Sequence, residues 1–139
     1  AAGGAKLTYP VEGGSARWPV YRGSAAHIAD GQTAAVDLAN ELGVIWVACH
    51  DGVITRRGDA GDCGLSVELE WDEGGSHWRA RYCHGHNLYV WMVGQAVNAG
   101  EHLGTVGYSG RTIPTGPAGA HLYFLLEKDQ VRQRPEDWL

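Results

Sequence analysis

The sequence predicts an all-β domain, an antiparallel sheet with glycine-rich loops and little helix. Three observations carry this expectation. Glycine supplies 21 of the 139 residues, about twice the usual share of roughly 7%, which favours turns over long helices. The longest apolar stretches, such as Val44 to Cys49, are strand-sized. From Leu65 to Trp71, apolar Leu65, Val67, Leu69 and Trp71 alternate with Ser66, Glu68 and Glu70, the period-two pattern of a strand with one buried and one wet face.

The elements follow in chain order. Residues 1–32 hold Pro10, Pro19 and short apolar pieces between glycines, and read as an irregular arm or linker with one edge strand; Ala1 to Ala5 resembles a linker remnant. Residues 33–127 read as the β domain. Ala35 to Leu38 and Val44 to Ala48 are short strands, and His50-Asp51-Gly52 makes a tight turn into the strand Val53 to Thr55. A Gly/Asp loop spans Arg57 to Asp62, before the alternating strand. Asp72 to Gly75 turns the chain back through His77 to Cys83, which sets Arg79 and Arg81 opposite Glu68 and Glu70. Leu88 to Val93 suits a strand or a short helix. Leu103 to Gly107, a Gly/Pro-rich loop from Tyr108 to Gly119 and the strand Ala120 to Glu127 complete the core, and residues 128–139 read as a polar tail.

Composition excludes several functions. With 11 basic and 16 acidic residues the formal charge is −5, so nucleic acid and anionic membrane surfaces are not expected partners. No apolar run is long enough to span a bilayer. Cys49, Cys63 and Cys83 form no CxxC metal pattern, and an odd number leaves one unpaired within a monomer. Cys83 and His84 cannot form a nucleophile–base pair, because neighbouring strand residues point to opposite faces. The glycines at 104, 107 and 110 lack the Lys-Ser/Thr of a nucleotide loop.

Three segments together resemble the lysostaphin/LytM-type zinc metalloendopeptidases, which cut peptide bonds in bacterial cell walls. The C-terminal match runs through Val93-Gly-Gln-Ala-Val-Asn-Ala-Gly100, Leu103-Gly-Thr-Val-Gly107, Ser109-Gly110 and Gly116-Pro-Ala-Gly-Ala-His-Leu-Tyr-Phe124. Tyr82-Cys-His84 is similar to the family's YxH strand, and Val36-Asp37 with Ala48 to Val53 to its VD strand and following hairpin. The resemblance implies a β-sheet groove domain. It also implies a zinc ion held by the His and Asp of HxxxD and by the second His of HxH, with the first His of HxH and the YxH histidine flanking the attacking water. Three protein ligands and one open position let zinc activate that water.

Carried over by position, Asp37 matches the carboxylate ligand, His84 the YxH histidine and His121 the first His of HxH. Thr33 and Tyr123 stand where the other two ligands belong. The implied reading is a vestigial or altered centre with no cofactor expected. One alternative is zinc held by rewired ligation, with His27 reaching back to Asp37 and Tyr123 ligating as a phenolate. Tyr108, Tyr123 and His86 are candidates to line the groove; His86 lies two residues from His84. Trp91 is another candidate, with core packing the better expectation. Cys63 and Cys83 fall at facing ends of a hairpin and resemble a cysteine pair of some actinobacterial and phage members; a disulfide and two buried thiols both stay open.

The functional expectation is a cell-wall-associated or virion-associated, extracellular domain without peptidase activity, which binds a peptidoglycan peptide or a protein partner, as in a phage lysin, a phage tail or an exported protein. The alternatives are an active zinc endopeptidase cutting peptidoglycan cross-bridges, and a structural virion domain.

Overall fold

A computed structural model describes residues 6–139; the linker remnant expected at Ala1 to Ala5 lies outside the described residues. The strands are β1 (Val36–Leu38), β2 (Ile45–Val47), β3 (Gly52–Asp59), β4 (Leu65–Glu73), β5 (Ser76–Leu88), β6 (Ala96–Val97), β7 (His102–Val106), β8 (Leu122–Lys128) and β9 (Val131–Gln133). Two short helices precede them, α1 (Gly14–Arg17) and α2 (Ser24–Ala29). All pairings are antiparallel. The main path runs β1-β8-β5-β4-β3-β6, with β7 joining β2 to β5 and β9 pairing with β8.

Long β5 is the spine, because it pairs with β4, β8 and β7. Its register with β4 places Glu68 opposite Arg81 and Glu70 opposite Arg79, the cross-strand arrangement the charge pattern predicts. The wet face expected on β4 is covered instead: Ser66 is fully buried and Glu68 is 6% exposed. Burial is tolerated because Arg56, Arg79 and Arg81 all approach the Glu68 carboxylate, at 3.2 to 3.5 Å, whereas an unpaired buried carboxylate would be costly.

Other local expectations change under tertiary pairing. The segment Arg57 to Asp59, read as loop from its Gly and Asp, continues β3 because it pairs with Leu65 to Val67 of β4. The turn at His50 to Gly52 leads into β3, yet β2 pairs with β7 and not with β3. Beyond Leu88 the chain leaves the sheet. Tyr89, Trp91, Met92 and Val93 are exposed, so Trp91, at 79% exposure, does not pack in the core.

Trp46, Tyr82 and Phe124 centre the core, with ring centroids 5.6 Å apart for the first pair and 5.2 Å for the second. All three are fully buried, each contributing on the order of 1.5–3 kcal/mol. The segments at both chain ends join this core. Leu7, Val11 and Trp138 are buried within it, and the Leu7 N–H donates to the Trp138 carbonyl at 2.9 Å. Arg22 forms an isolated bridge with Asp37, which lays the chain just before α2 alongside β1.

Candidate functional site

Adjacent strands bring the first two site residues together. β1 and β8 pair so that Asp37 lies opposite Tyr123, and His121 immediately precedes β8. On the other side of β8, Cys83 of β5 lies opposite Tyr123, with His84 next in the chain. His84 has φ of +69°, a left-handed conformation uncommon for a residue with a side chain. The ladder is irregular at Gly85 on both flanks of β5, so the simple alternation that would set His84 and His86 on one face fails. His84 is buried and His86 is exposed. The His84 and His121 rings stand 4.8 Å apart.

Loop contacts fix His84 in this position. Its Nδ1–H donates to the Ser109 carbonyl at 2.8 Å, while the Ser109 hydroxyl donates to the Gly85 carbonyl at 2.5 Å. Ser109-Gly110 can approach because Gly64 and Gly110 present no side chain; a Cβ on Gly64 would collide with the Ser109 backbone. A disulfide between Cys63 and Cys83 ties the same loop to β5. Burial holds His84 at a pKa of about 4, against an ordinary 6.5, so its imidazole is neutral at pH 7.

His27 completes the cluster from outside the sheet. It lies on α2, 2% exposed, and its Nε2 stands 3.2 Å from Asp37 Oδ1. Helix α2 is docked by Glu136, which accepts hydrogen bonds from the Ser24 hydroxyl at 2.6 Å and the Ser24 N–H at 2.8 Å. His27 Nδ1 lies 2.6 Å from the Gln32 amide oxygen and 3.4 Å from Arg22 Nη1. The much shorter contact governs, so Nδ1 carries the proton and donates to Gln32. His121 is held in the same way, its Nδ1–H donating to the Gly119 carbonyl at 2.7 Å. His121 Nε2 stands 3.6 Å from the same Asp37 Oδ1. Burial raises the Asp37 pKa, against the lowering influence of His121, His27 and Arg22.

The remaining candidates separate clearly. Thr33 is exposed, so no ligand comes from that position. The Tyr123 ring meets His27 edge-on at 5.2 Å and lies 6.2 Å from His84, packing against both histidines. Tyr108 is 38% exposed. Cys49 is buried, and burial pushes its thiol up to about 12, which leaves it inert as a nucleophile. An open cavity of about 480 Å³ beside Gly52, Glu70, Trp71 and His77 contains none of the groove histidines. Sequence reasoning missed Gln32, Arg22 and Ser109 as the groups that orient the histidines; the nearest signal was the polar run just after α2.

At the two ligand positions that the resemblance assigns to Thr33 and Tyr123, the chain offers an exposed hydroxyl and a phenol, which do not fit the standard zinc ligand set. Among the described residues, no group of three or more His, Cys, Asp or Glu side chains stands ready-made to hold a metal ion. Two buried atoms are nevertheless orphaned: His27 Nε2 and Asp37 Oδ1 have no hydrogen-bond partner although they face each other. At 3.2 Å the two atoms are within hydrogen-bond distance, and one proton held between them satisfies both.

Comparison with known proteins gives a consistent family. Residues 31–135 match the family model described as Peptidase family M23. A search of curated protein sequences finds no match. Among solved structures, a peptidase M23 from Pseudomonas aeruginosa is similar with a TM-score of 0.76 and 25% identity, over 98% of this chain and 51% of that one. The chain thus spans about half the length of that structure. The catalytic domain of lysostaphin, the antimicrobial peptidase from Staphylococcus simulans, gives 0.66 and 22% over 97% of this chain and 88% of its own. The SpoIIQ–SpoIIIAH pore-forming complex contains a chain similar at 0.75 and 18%, over 97% and 91%. These last two identities speak for the fold alone.

Proposed function

We propose that this chain, which belongs to peptidase family M23, binds an extended peptide in its histidine-lined groove without the family's standard hydrolytic centre. The observation that carries the reading is the pairing of Asp37 with Tyr123 across β1 and β8. The position facing the one retained ligand holds a phenol where the family pattern needs an imidazole, and the exposed Thr33 offers no replacement. What persists is a polar cluster of His84, His121 and Tyr123, bordered by the Tyr108 to Gly119 loop through the Ser109 and Gly119 carbonyls.

A peptidoglycan peptide is the favoured occupant, and a segment of a protein partner the second. The fold's appearance in the SpoIIQ–SpoIIIAH complex supports use of such a domain in a protein assembly. The Cys63–Cys83 disulfide supports an oxidising location outside the cytoplasm, as at a cell wall or on a virion. A second reading, hydrolysis with a displaced ligand, is favoured by one contact, that of His27 with Asp37.

Cosedimentation with purified sacculi and turbidity clearing of the same sacculi test the proposal together. The expected result is saturable binding weakened at least fivefold by Tyr123→Ala or Tyr108→Ala, with no clearing. Clearing activity abolished by His121→Ala would overturn it.

A further inference from the structure

We propose that the groove carries a subsite for a peptide carboxylate, formed by Arg81 and Arg132 on either side of Leu125. The inference rests on the reading that an extended peptide lies in the groove, and deepens it by naming the chemistry of that peptide. Strand alternation fixes the layout. On β8, Leu122, Phe124 and Leu126 are fully buried in the core, so Tyr123, Leu125 and Glu127 turn to the groove face. Strand pairing extends this face in rows. The first row sets Tyr123 beside Asp37, the second sets Leu125 beside Arg81 with Glu68 beyond it, and the third sets Glu127 between Arg79 and Arg132. Successive rows are two residues apart, or about 7 Å.

The guanidiniums on this face outnumber the carboxylates that meet them. Glu68 is shared by Arg56, Arg79 and Arg81, at 3.5, 3.5 and 3.2 Å. Arg79 is also met by Glu70 and Glu127, at 3.5 and 3.3 Å. Arg132 lies opposite Glu127 in register, yet among the described residues it pairs with no carboxylate. Its Nη1–H donates instead to the Ala34 carbonyl at 3.1 Å. Ala34 lies just before β1, so the Arg132 side chain turns back along β8 toward the Tyr123 row. Four guanidiniums therefore face Glu68, Glu70 and Glu127, in a chain whose formal charge is −5. Asp37 in the neighbouring row adds no free acid, because His27, His121 and Arg22 already meet it.

Pairing with Glu68 explains Arg56, Arg79 and Arg81 as parts of the fold, but it does not explain Arg132. The Nε–H groups of Arg81 and Arg132 are both buried without an acceptor, and the Arg81 side chain keeps 31% of its surface open. Leu125, which the two flank, is 4% exposed, as expected where arginine stems lie over an apolar side chain. Two guanidinium forks above an apolar floor suit a carboxylate, whose two oxygens accept paired N–H donors. The row spacing gives the register of the ligand: its carboxylate stands about two residues along an extended peptide from the unit that lies over Tyr123.

The test titrates the isotope-labelled full chain, followed by NMR, with three peptides: a blocked alanine pentapeptide with a central glutamate, the same peptide with glutamine, and an alanine pentapeptide with a free C-terminus. Sacculi are cosedimented before and after carbodiimide amidation of their carboxylates. The glutamate or the free-terminus peptide should bind at least about tenfold tighter than the glutamine peptide, and whichever does so identifies the carboxylate that the subsite takes. Binding should shift the Nε–H resonances of Arg81 and Arg132, and amidation should weaken sacculus binding at least about fivefold. Arg81→Gln and Arg132→Gln should each weaken the acidic peptide at least about fivefold and leave the glutamine peptide within about twofold. Arg17→Gln, on α1, should change neither. Arg132→Gln leaves every Glu68 contact in place and keeps the test valid if Arg81→Gln does not fold. Equal binding of the three peptides, or acidic-peptide binding indifferent to Arg132→Gln, overturns the inference. Arginine-dependent binding of an acidic peptide without sacculus binding upholds the subsite and refutes the wall-peptide reading. Sacculus binding that no peptide reproduces, and that neither amidation nor Arg132→Gln weakens, does the reverse.

Discussion

Replacing Tyr82 by Phe tests the link between the core and the groove. Tyr82 lies two residues before His84, fully buried, and its hydroxyl accepts from the Cys49 N–H at 2.9 Å and donates to the Val47 carbonyl at 2.7 Å. Those bonds tie the spine strand β5 to the end of β2. Phe keeps the ring contacts with Trp46 and Phe124 but removes both bonds. The Cys49 N–H, 1% exposed at the residue level, has no water to turn to, and an orphaned buried donor costs about 1–3 kcal/mol. The Val47 carbonyl loses one bond worth about 1 kcal/mol. The sum is about 2–4 kcal/mol, or a Tm lowered by about 6–12 °C for a domain of this size. Urea denaturation at pH 7, followed by tryptophan fluorescence, measures it. A loss under about 0.5 kcal/mol would refute the reasoning, because it would mean that another donor and acceptor satisfy the strand end.

Two further outcomes follow from contacts away from the groove. The Cys63–Cys83 disulfide closes a loop of sequence separation 20, so the Cys63→Ser/Cys83→Ser double variant should lose about 3 kcal/mol in urea unfolding. Without reductant, alkylation should label one thiol in denaturant and none in the native protein, since Cys49 is the buried free cysteine; labelling of three would exclude the disulfide. The surface triad of His77 with Glu70 and Asp72 should shape the pH profile. Hydrogen bonds to Glu70 and Asp72 raise the His77 pKa above 6.5, so its contribution is complete below 6.5 and is lost as pH rises through the raised value. Burial pushes Glu70 upward, but bonds from Thr55 and His77 and the charge of Arg79 outweigh it and hold the pKa below 4.5; its contribution is complete above 4.5 and is lost as pH falls through the lowered value. The wild-type advantage over His77→Gln should therefore be largest between pH 4.5 and 6.5, and a larger advantage at pH 9 than at pH 5.5 would refute the assignment.

The division between what was legible in the sequence and what was not follows the range of the forces involved. The strand character of β4 and the Glu/Arg register of the β4–β5 hairpin act between chain neighbours or across one turn. They can be read directly. The end of β3 could not, since Arg57 to Asp59 has loop composition and is held extended only by its partners on β4. Nor could the i, i+2 rule place His86, because a positive φ at His84 and an irregular ladder at Gly85 interrupt the alternation on which the rule depends.

His27 shows why the candidate site was the least legible part. Its distance from Asp37 in sequence admits many loops, and nothing local selects the one that brings its ring to the carboxylate. The selection comes from Glu136, whose carboxylate grips both the N–H and hydroxyl of Ser24 at the start of α2, 112 residues away. These bonds and the charge of Arg134 hold the Glu136 pKa below its ordinary value although burial pushes it up, which marks it as ionised in this contact at neutral pH. A charge-assisted pair of this kind is worth more than a neutral hydrogen bond, enough to orient a six-residue helix that would not be stable alone. The residues that read as a polar tail therefore position the histidine that meets Asp37, and this side of the groove depends on contacts between Ser24 and Glu136.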